Sequence, residues 1–267
     1  MSLTRRHLIA LATALGLSGA AAFGASAQEV LNVGAYPNNP PFEYKNESGA
    51  FEGFEVDIVT EAAKRIGMKA EIADYGFQAL FAGTTSGRID VAISSITITQ
   101  DRLKSQSFTQ PYYDSDMGVA TKADSEISGL KDLNGKIIGV LSGSTGDKWA
   151  KDNQATYGFA EIKGYNTQQD VMLDLGAGRV DAVISDIPGM EYLFLKMKGF
   201  TVKDRIKTGE QYGLMMTKDH PLLQKLSDAI GEMKKDGTLN EIHKKWFGTE
   251  APADSATVKE AAIPTAG

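Results

Sequence analysis

The segment GRIDVAISS, residues 87–95, returns later in the chain as GRVDAVISD, residues 178–186. Each copy follows a short helical pattern and has the composition of a turn that leads into a buried strand. A helix–turn–strand unit repeated in separate halves of the chain predicts two similar α/β lobes. Ligands of open α/β sheets bind beyond the carboxyl ends of the strands. The last residues of the two copies, Ser94 and Ser95 in one and Ser185 and Asp186 in the other, are therefore candidates to face a cleft between the lobes.

The composition is that of a globular chain and excludes several kinds of function. The 267 residues are 42% hydrophobic and 23% charged, which is enough for one large or two modest domains. The formal net charge of −6 argues against a nucleic-acid partner, for which a basic surface is expected. The chain has no cysteine, so disulfides and thiolate chemistry are excluded. The three histidines have no partner at ligand spacing, and neither a metal nor a cofactor is predicted.

The two ends of the chain are predicted to lie outside the fold. Residues 1–27 form an export signal, with Arg5 and Arg6 before an apolar run and cleavage after Ala27 in an A-x-A site. The paired arginines fit the twin-arginine route as well as the general one, and the sequence does not separate the two. Residues 251–267 are rich in Ala, Pro, Thr and Ser without periodicity, which predicts a disordered tail.

Between these ends the hydrophobic pattern indicates alternating strands and helices. A first strand at residues 31–35 precedes an amphipathic helix over 53–66, and the last two helices divide at Gly237. A return strand at 212–217 would bring the chain back to its first lobe, so that two strands cross between the lobes as a hinge. The predicted lobes are residues 28–116 with 213–250, and residues 117–212.

Two segments have the residue types of an anion site. Arg102 follows a strand end and the hydroxyl residues Thr97 and Thr99, and its guanidinium suits a carboxylate. The alternative is an ordinary surface arginine. The Gly/Ser-rich turn at residues 142–146 precedes a helix and can present backbone N–H groups to an anion. Ser144 or Thr145 can equally serve that helix as its N-terminal cap, and the two roles are compatible.

Other candidates also have structural alternatives. Asp186 could pair with an ammonium group, or it could cap the helix that begins near Pro188. Phe77 and Tyr36 could contact a ligand or belong to the core. Asp90 and Asp181 occupy the same place in the two copies, which indicates a structural role in the turn.

The combination of motifs resembles the periplasmic amino-acid-binding proteins of ABC importers, solute-binding protein family 3. The resemblance extends from about Val30 to Gly248. It implies a two-lobed α/β periplasmic-binding-protein fold in which each lobe is a mixed sheet flanked by helices, and two hinge strands join the lobes. The motifs that carry it are PFE at 41–43, GFEVD at 53–57, SITIT at 95–99 with Arg102, FT at 108–109 with PYY at 111–113, and WFG at 246–248.

The resemblance also implies a binding site. Arg102 matches the arginine that holds the ligand α-carboxylate, and Asp186 matches the acid that binds the α-ammonium group. The other matching positions are Thr97, Ser144 and Thr145 at the carboxylate, Ser95 at the ammonium group, and Phe77 and Leu141 along the ligand side chain. Many relatives carry an acid where Tyr36 stands and an aromatic residue where Asn39 stands. These departures, with Leu141 in place of a lysine, predict a neutral or modified amino acid that contacts Tyr36 and Asn39.

The predicted function is therefore a periplasmic binding protein that delivers an amino acid to a membrane permease, acts as a monomer and catalyses no reaction. The alternative is a dehydratase of the prephenate or arogenate type on the same fold. Such an enzyme needs a general acid in the cleft, and Glu43 and Glu55 are the nearby acids. A sensor that captures the protein in place of a permease is a further possibility.

Overall fold

The computed structural model describes residues 28–267, so the predicted export signal and the cleavage after Ala27 lie outside the described residues. The strands are β1 (Val30–Ala35), β2 (Asn38–Asn39), β3 (Glu43–Lys45), β4 (Phe51–Glu52), β5 (Lys69–Asp74), β6 (Val91–Ile93), β7 (Gln106–Phe108), β8 (Tyr113–Lys122), β9 (Ile137–Leu141), β10 (Glu161–Tyr165), β11 (Ala182–Asp186), β12 (Phe200–Tyr212) and β13 (Met215–Thr217). The helices are α1 (Phe54–Arg65), α2 (Phe77–Thr85), α3 (Gln100–Leu103), α4 (Thr145–Tyr157), α5 (Gln168–Ala177), α6 (Ile187–Lys196), α7 (Leu223–Lys235) and α8 (Thr238–Phe247), with a 3₁₀ turn at Leu130–Asp132.

Two five-stranded mixed sheets form the framework, and helices flank each of them. The first sheet has the order β5-β1-β6-β13-β7, and the second has the order β10-β9-β11-β8-β12. In each, three parallel strands are followed by two that run antiparallel to their neighbours. Helices α1 and α2 pack on the first sheet, and α4, α5 and α6 pack on the second. This confirms the predicted two-lobed fold.

The repeated segment has the same place and the same contacts in both sheets. Its strands, β6 and β11, are third in each order, and its glycines turn the chain with φ of +70° at Gly87 and +71° at Gly178. The carboxylate of Asp90 accepts the backbone N–H of Asn32 at 2.8 Å, and that of Asp181 accepts the N–H of Ile137 at 2.7 Å. The two aspartates therefore fix each turn to the neighbouring strand, which confirms their structural role.

Two long strands carry the chain between the sheets. Strands β8 and β12 pair antiparallel, from Tyr113↔Tyr212 at one end to Lys122↔Phe200 at the other. The prediction of a single return strand at 212–217 is wrong, because β12 already begins at Phe200 and β13 is a separate strand in the first sheet. Because β12 is an edge strand that pairs only with β8, its burial pattern is irregular. A search for alternating polar and apolar residues therefore does not detect it.

The C-terminal segment differs from its prediction. Residues 251–267 contain no helix or strand, yet they lie along the first lobe, where Ala256 and Thr257 are buried. Ala256 donates its N–H to Asp114 Oδ2 at 2.6 Å, and Thr257 Oγ1 donates to the carbonyl of Tyr112 at 2.9 Å. Polar contacts and small buried side chains hold this segment, and its composition does not reveal them. No helix between residues 28 and 267 is both long and apolar enough to span a bilayer.

Candidate functional site

The ten predicted site residues line one cavity between the two sheets. The cavity encloses about 680 Å³ of empty space, including the part open to solvent. Its predicted members are Tyr36, Asn39, Phe77, Ser95, Thr97, Arg102, Leu141, Ser144, Thr145 and Asp186. Residues that the sequence did not single out complete the wall, among them Asn38, Gln168, Met190 and Leu193.

Arg102 reaches from the short helix α3 into the cavity. Thr99 caps this helix by accepting the backbone N–H of Arg102 at 3.1 Å. The guanidinium donates to the carbonyl of Thr97 at 2.8 Å and, across the cleft, to that of Gly143 at 3.4 Å. Burial lowers the pKa of Arg102 to about 10, against the opposing effect of Asp186, so the side chain stays positive at neutral pH. A half-buried cation held by carbonyl groups retains donors for an anion.

Its aromatic surroundings fix the guanidinium further. The guanidinium carbon lies 5.1 Å from the ring centre of Phe81 and 6.0 Å from that of Phe77. These distances allow cation–π attraction, which favours the charged form in a partly dry site. Phe77 itself is only 6% exposed, so it contributes both to the core and to the cavity wall.

The turn at residues 142–146 faces Arg102 from the second lobe and begins helix α4. Ser144 caps the helix by accepting the N–H of Asp147 at 3.1 Å, and Asp147 Oδ2 accepts the N–H of Gly143 at 2.9 Å. A Cβ at Gly146 would lie 2.8 Å from the carbonyl oxygen of Ile184, so the close approach of the helix to β11 requires glycine. The helix therefore points its positive end at the cavity.

Asp186 ends β11 on the cleft side and does not cap the next helix. It occupies the N-terminal cap position of α6, but its side chain makes no capping hydrogen bond. Instead Oδ2 accepts the hydroxyl of Tyr212 at 2.6 Å. Burial raises the pKa of Asp186, while the Tyr212 hydrogen bond and the charge of Arg102 oppose that shift. Of the two alternatives, the structure thus favours a carboxylate available to a cation.

Tyr36 bridges the lobes at the other end of the cavity. Its side chain is 4% exposed, and the residue directly follows the first strand. Its hydroxyl donates to Gln169 Oε1 at 3.2 Å and accepts the backbone N–H of Gln168 at 3.3 Å. Gln169 Nε2 in turn donates to the carbonyl of Asn38 at 3.0 Å. This end of the cavity is therefore closed by neutral hydrogen-bonding groups.

Asn39 and Ser95 are held by two buried acids behind the cavity. Asn39 Nδ2 donates to Ser95 Oγ at 2.7 Å and to Glu43 Oε2 at 3.2 Å. Ser95 has a φ of +46°, which is uncommon for a residue with a side chain, and its N–H donates to both oxygens of Glu55 at 3.0 Å. Tyr112 also donates its hydroxyl to Glu55.

The two glutamates do not reach the cavity. Glu43 and Glu55 are both 0% exposed and do not line it. Burial raises the pKa of Glu43 well above its ordinary value, and the charge of Glu55 adds to this effect. Burial also raises the pKa of Glu55, whereas its hydrogen bonds with Glu43, Tyr112 and Ser95 lower it. The two glutamates support Asn39 and Ser95 and do not face a ligand.

Glu210 is a neighbour of the site that sequence reasoning missed. It lies on β12, is 8% exposed, and has a buried Oε2 without a hydrogen-bond partner among residues 28–267. Burial, followed by the charge of Asp186, raises the pKa of Glu210 to about 8, while contacts with Thr145 and Thr97 lower it. The signal that could have found it is its position two residues before Tyr212, at the end of a crossing strand.

The charge of the cavity is confined to two side chains. Of the residues between 28 and 267 that line it, only Arg102 and Asp186 carry charged side chains. The part of the chain that the structure describes contains no group of three histidine, aspartate or glutamate residues arranged to ligate a metal ion. The arrangement presents one cationic and one anionic group to a small molecule, and elsewhere polar and apolar walls.

Two α/β lobes joined by two crossing strands, with a charged cavity between them, define a two-lobed solute-binding protein. Residues 31–249 match the family described as bacterial extracellular solute-binding proteins, family 3. The chain belongs to this family, whose members serve ABC importers.

Three of the most similar proteins illustrate the family. The histidine-binding periplasmic protein of Escherichia coli K12 is 32% identical over 91% of this chain and 97% of its own length. The L-cystine-binding protein of the same organism is 31% identical over 82% and 83%, respectively. The structure of the arginine-, lysine-, histidine-binding protein of Geobacillus stearothermophilus has a TM-score of 0.79 at 32% identity, covering 85% of this chain and 98% of that one.

Proposed function

We propose that this protein is the periplasmic solute-binding component of an ABC importer and captures a free α-amino acid between its lobes. The observation that carries the proposal is the pairing of Arg102 and Asp186 as the charged residues of one cavity. Arg102 binds the α-carboxylate with the N–H groups at the start of α4, and Asp186 binds the α-ammonium group with Ser95. Each charge-assisted hydrogen bond contributes about 1.5–3 kcal/mol.

The side chain of the ligand is neutral in this proposal. A zwitterion engages both charged residues of the cavity, which leaves no charge for an ionised side chain. Tyr36, which stands where many relatives carry an acid, is occupied by Gln168 and Gln169, and Leu141 supplies an apolar wall. The relatives named for histidine and for arginine, lysine and histidine bind side chains that carry or gain positive charge, whereas cystine is neutral overall. Binding of an amino acid with a cationic side chain is therefore the competing hypothesis that the experiment must test.

Capture proceeds by closure of the lobes, and the closed form docks on a membrane permease. The relatives are periplasmic or extracellular binding proteins by name, which supports export of this chain as well. We further propose cleavage after Ala27 and a monomeric state.

The dehydratase alternative has no support from the relatives, which are named as binding proteins. Glu43 and Glu55, the acids considered for its general acid, are fully buried behind Asn39 and Ser95. Neither carboxyl is placed to meet a leaving hydroxyl group in the cavity, so we propose that the protein is not an enzyme.

The proposal is tested by thermal unfolding of the mature protein, refolded from denaturant to remove bound ligand, against free and modified L-amino acids. A ligand at 100 times its dissociation constant adds roughly 2.7 kcal/mol, or about 5–10 °C in Tm for a chain of this size. We expect the largest shift in Tm from an amino acid with a neutral side chain. A largest shift with arginine, lysine or glutamate would contradict the neutral side chain, and no shift at all would contradict amino-acid binding. Conversion of prephenate to phenylpyruvate would support the enzyme.

A further inference from the structure

Glu210 occupies the seam where the two lobes meet the hinge. It lies on the crossing strand β12, opposite Ser115 of β8. Thr97 of the first lobe and Thr145 of the second lie beside its carboxyl group, and both lower its pKa. It is 8% exposed and borders the hinge-side groove. Because groups from both lobes lie beside it, we expect opening of the cleft to expose its carboxyl group to water.

Between residues 28 and 267, the charged groups beside Glu210 do not offer it a counterion of its own, since Arg205 in the same groove is paired with Asp116. Asp186 from β11 is a neighbouring negative charge, and Arg102 from α3 is the cation that both acids share. Tyr212, on the same strand, donates its hydroxyl to Asp186. Oε2 of Glu210 has no hydrogen-bond partner among residues 28–267. An ionised carboxylate left in this position costs free energy, whereas a neutral carboxyl can donate to Asp186.

We propose that Glu210 is a positioning residue of the amino-acid cleft that must be a neutral carboxyl group when the lobes are closed, so that ligand-driven closure takes up one proton. The neutral carboxyl donates a hydrogen bond to Asp186, which stays ionised for the ligand ammonium group. It also leaves Arg102 to the ligand carboxylate. The inference rests on the proposed function, because it assigns protonation to the closure around the same ligand.

The sign of the pH dependence follows from linkage. In the open form we expect the carboxyl group to be in water, where glutamate has a pKa of about 4.3. In this structure, whose lobes are joined across the cleft by the Arg102–Gly143 and Tyr36–Gln168 hydrogen bonds and which we take as the closed form, burial and Asp186 raise the pKa of Glu210 to about 8. Between these two values the closed form binds the additional proton, so a rise in pH opposes closure. Affinity should fall by up to about tenfold per pH unit between roughly pH 5 and pH 8 and level off above that.

The test is calorimetric titration of the refolded protein and of Glu210→Gln with the tightest-binding amino acid of the panel above. Histidine is left out because its imidazole titrates in the same window. Repeating the titration in buffers of different ionisation enthalpy gives the number of protons taken up. For the wild type we expect uptake approaching one proton at pH 7 and an affinity that falls with pH. For Glu210→Gln we expect almost no uptake and a nearly constant affinity.

Glu191→Gln is the matched control, since Glu191 is an exposed acid that lines the same hinge-side groove as Glu210. It should retain the wild-type proton uptake and pH profile. Equal proton uptake by the wild type and Glu210→Gln would overturn the inference while leaving amino-acid binding intact. Absence of binding by both proteins across the panel would overturn the proposed function and this inference with it.

Discussion

At the scale of single residues, the site depends on how Arg102 is held without being neutralised. Its guanidinium donates to two backbone carbonyls and lies near two aromatic rings. These contacts hold the planar group in place without neutralising its charge. The desolvation that lowers its pKa to about 10 also strengthens its attraction for an anion, because the surrounding dielectric constant is low. A lysine, with a single ammonium group, could not occupy this geometry in the same way.

Arg102→Ala is therefore expected to weaken amino-acid binding strongly. Loss of a charge-assisted contact worth about 1.5–3 kcal/mol corresponds to a dissociation constant roughly 10- to 150-fold higher. The measurement is calorimetric titration with the tightest-binding amino acid. The control is Arg88→Ala, which removes an exposed arginine of the repeated segment and should leave affinity unchanged. Equal affinity of Arg102→Ala and Arg88→Ala would show that the carboxylate is bound elsewhere.

At the scale of elements, the C-terminal segment contributes to the first lobe. The backbone carbonyl of Lys259 in this segment accepts a hydrogen bond from the ammonium group of Lys234 at 2.9 Å. Lys234 also donates to Gln110 Oε1 and to the carbonyl of Pro111. Lys234 is 7% exposed, and burial lowers its pKa to about 8. The segment thus completes the hydrogen bonds of a buried cation near the C-terminal end of α7.

Deletion of residues 251–267 should consequently destabilise the fold. Removing an acceptor of Lys234 and the partner of Asp114 should cost about 1–3 kcal/mol, or about 2–12 °C in Tm at 2–4 °C per kcal/mol. Thermal unfolding of the mature protein with and without the segment measures this change. A shorter deletion of residues 264–267 removes only exposed or half-buried positions and should leave Tm nearly unchanged. An unaltered Tm after the full deletion would mean that the segment contributes nothing to stability.

The elements differ in how far the sequence predicts them. The repeated turn and strand, helix α1 and the two last helices follow from periodicity and from glycines at turns, because these signals are local. The ten cavity residues followed from strand ends and from the family resemblance, and the structure brings all of them together. Strand β12, the ordered tail and Glu210 were missed, because each depends on contacts with distant parts of the chain. No local pattern identifies Asp186 as bound to Tyr212 and not to its own helix.

At the scale of the whole molecule, the protein is a clamp whose two lobes are joined across the cavity by a small set of hydrogen bonds. Tyr36 with Gln168 and Gln169 joins the lobes at one end of the cavity, and Arg102 with Gly143 joins them near the other. These hydrogen bonds are neutral or long, so they hold the closed form only weakly. An amino acid that binds Arg102 from one lobe and Asp186 from the other would supply the missing free energy of closure.

The measurement that tests this claim most directly is small-angle X-ray scattering of the refolded, ligand-free protein before and after saturation with its amino acid. We expect a smaller radius of gyration in the saturated sample than in the ligand-free one. Arg102→Ala at the same amino-acid concentration should keep the radius of the ligand-free protein. A radius that stays constant while calorimetry shows full occupancy would contradict closure of the lobes on the ligand.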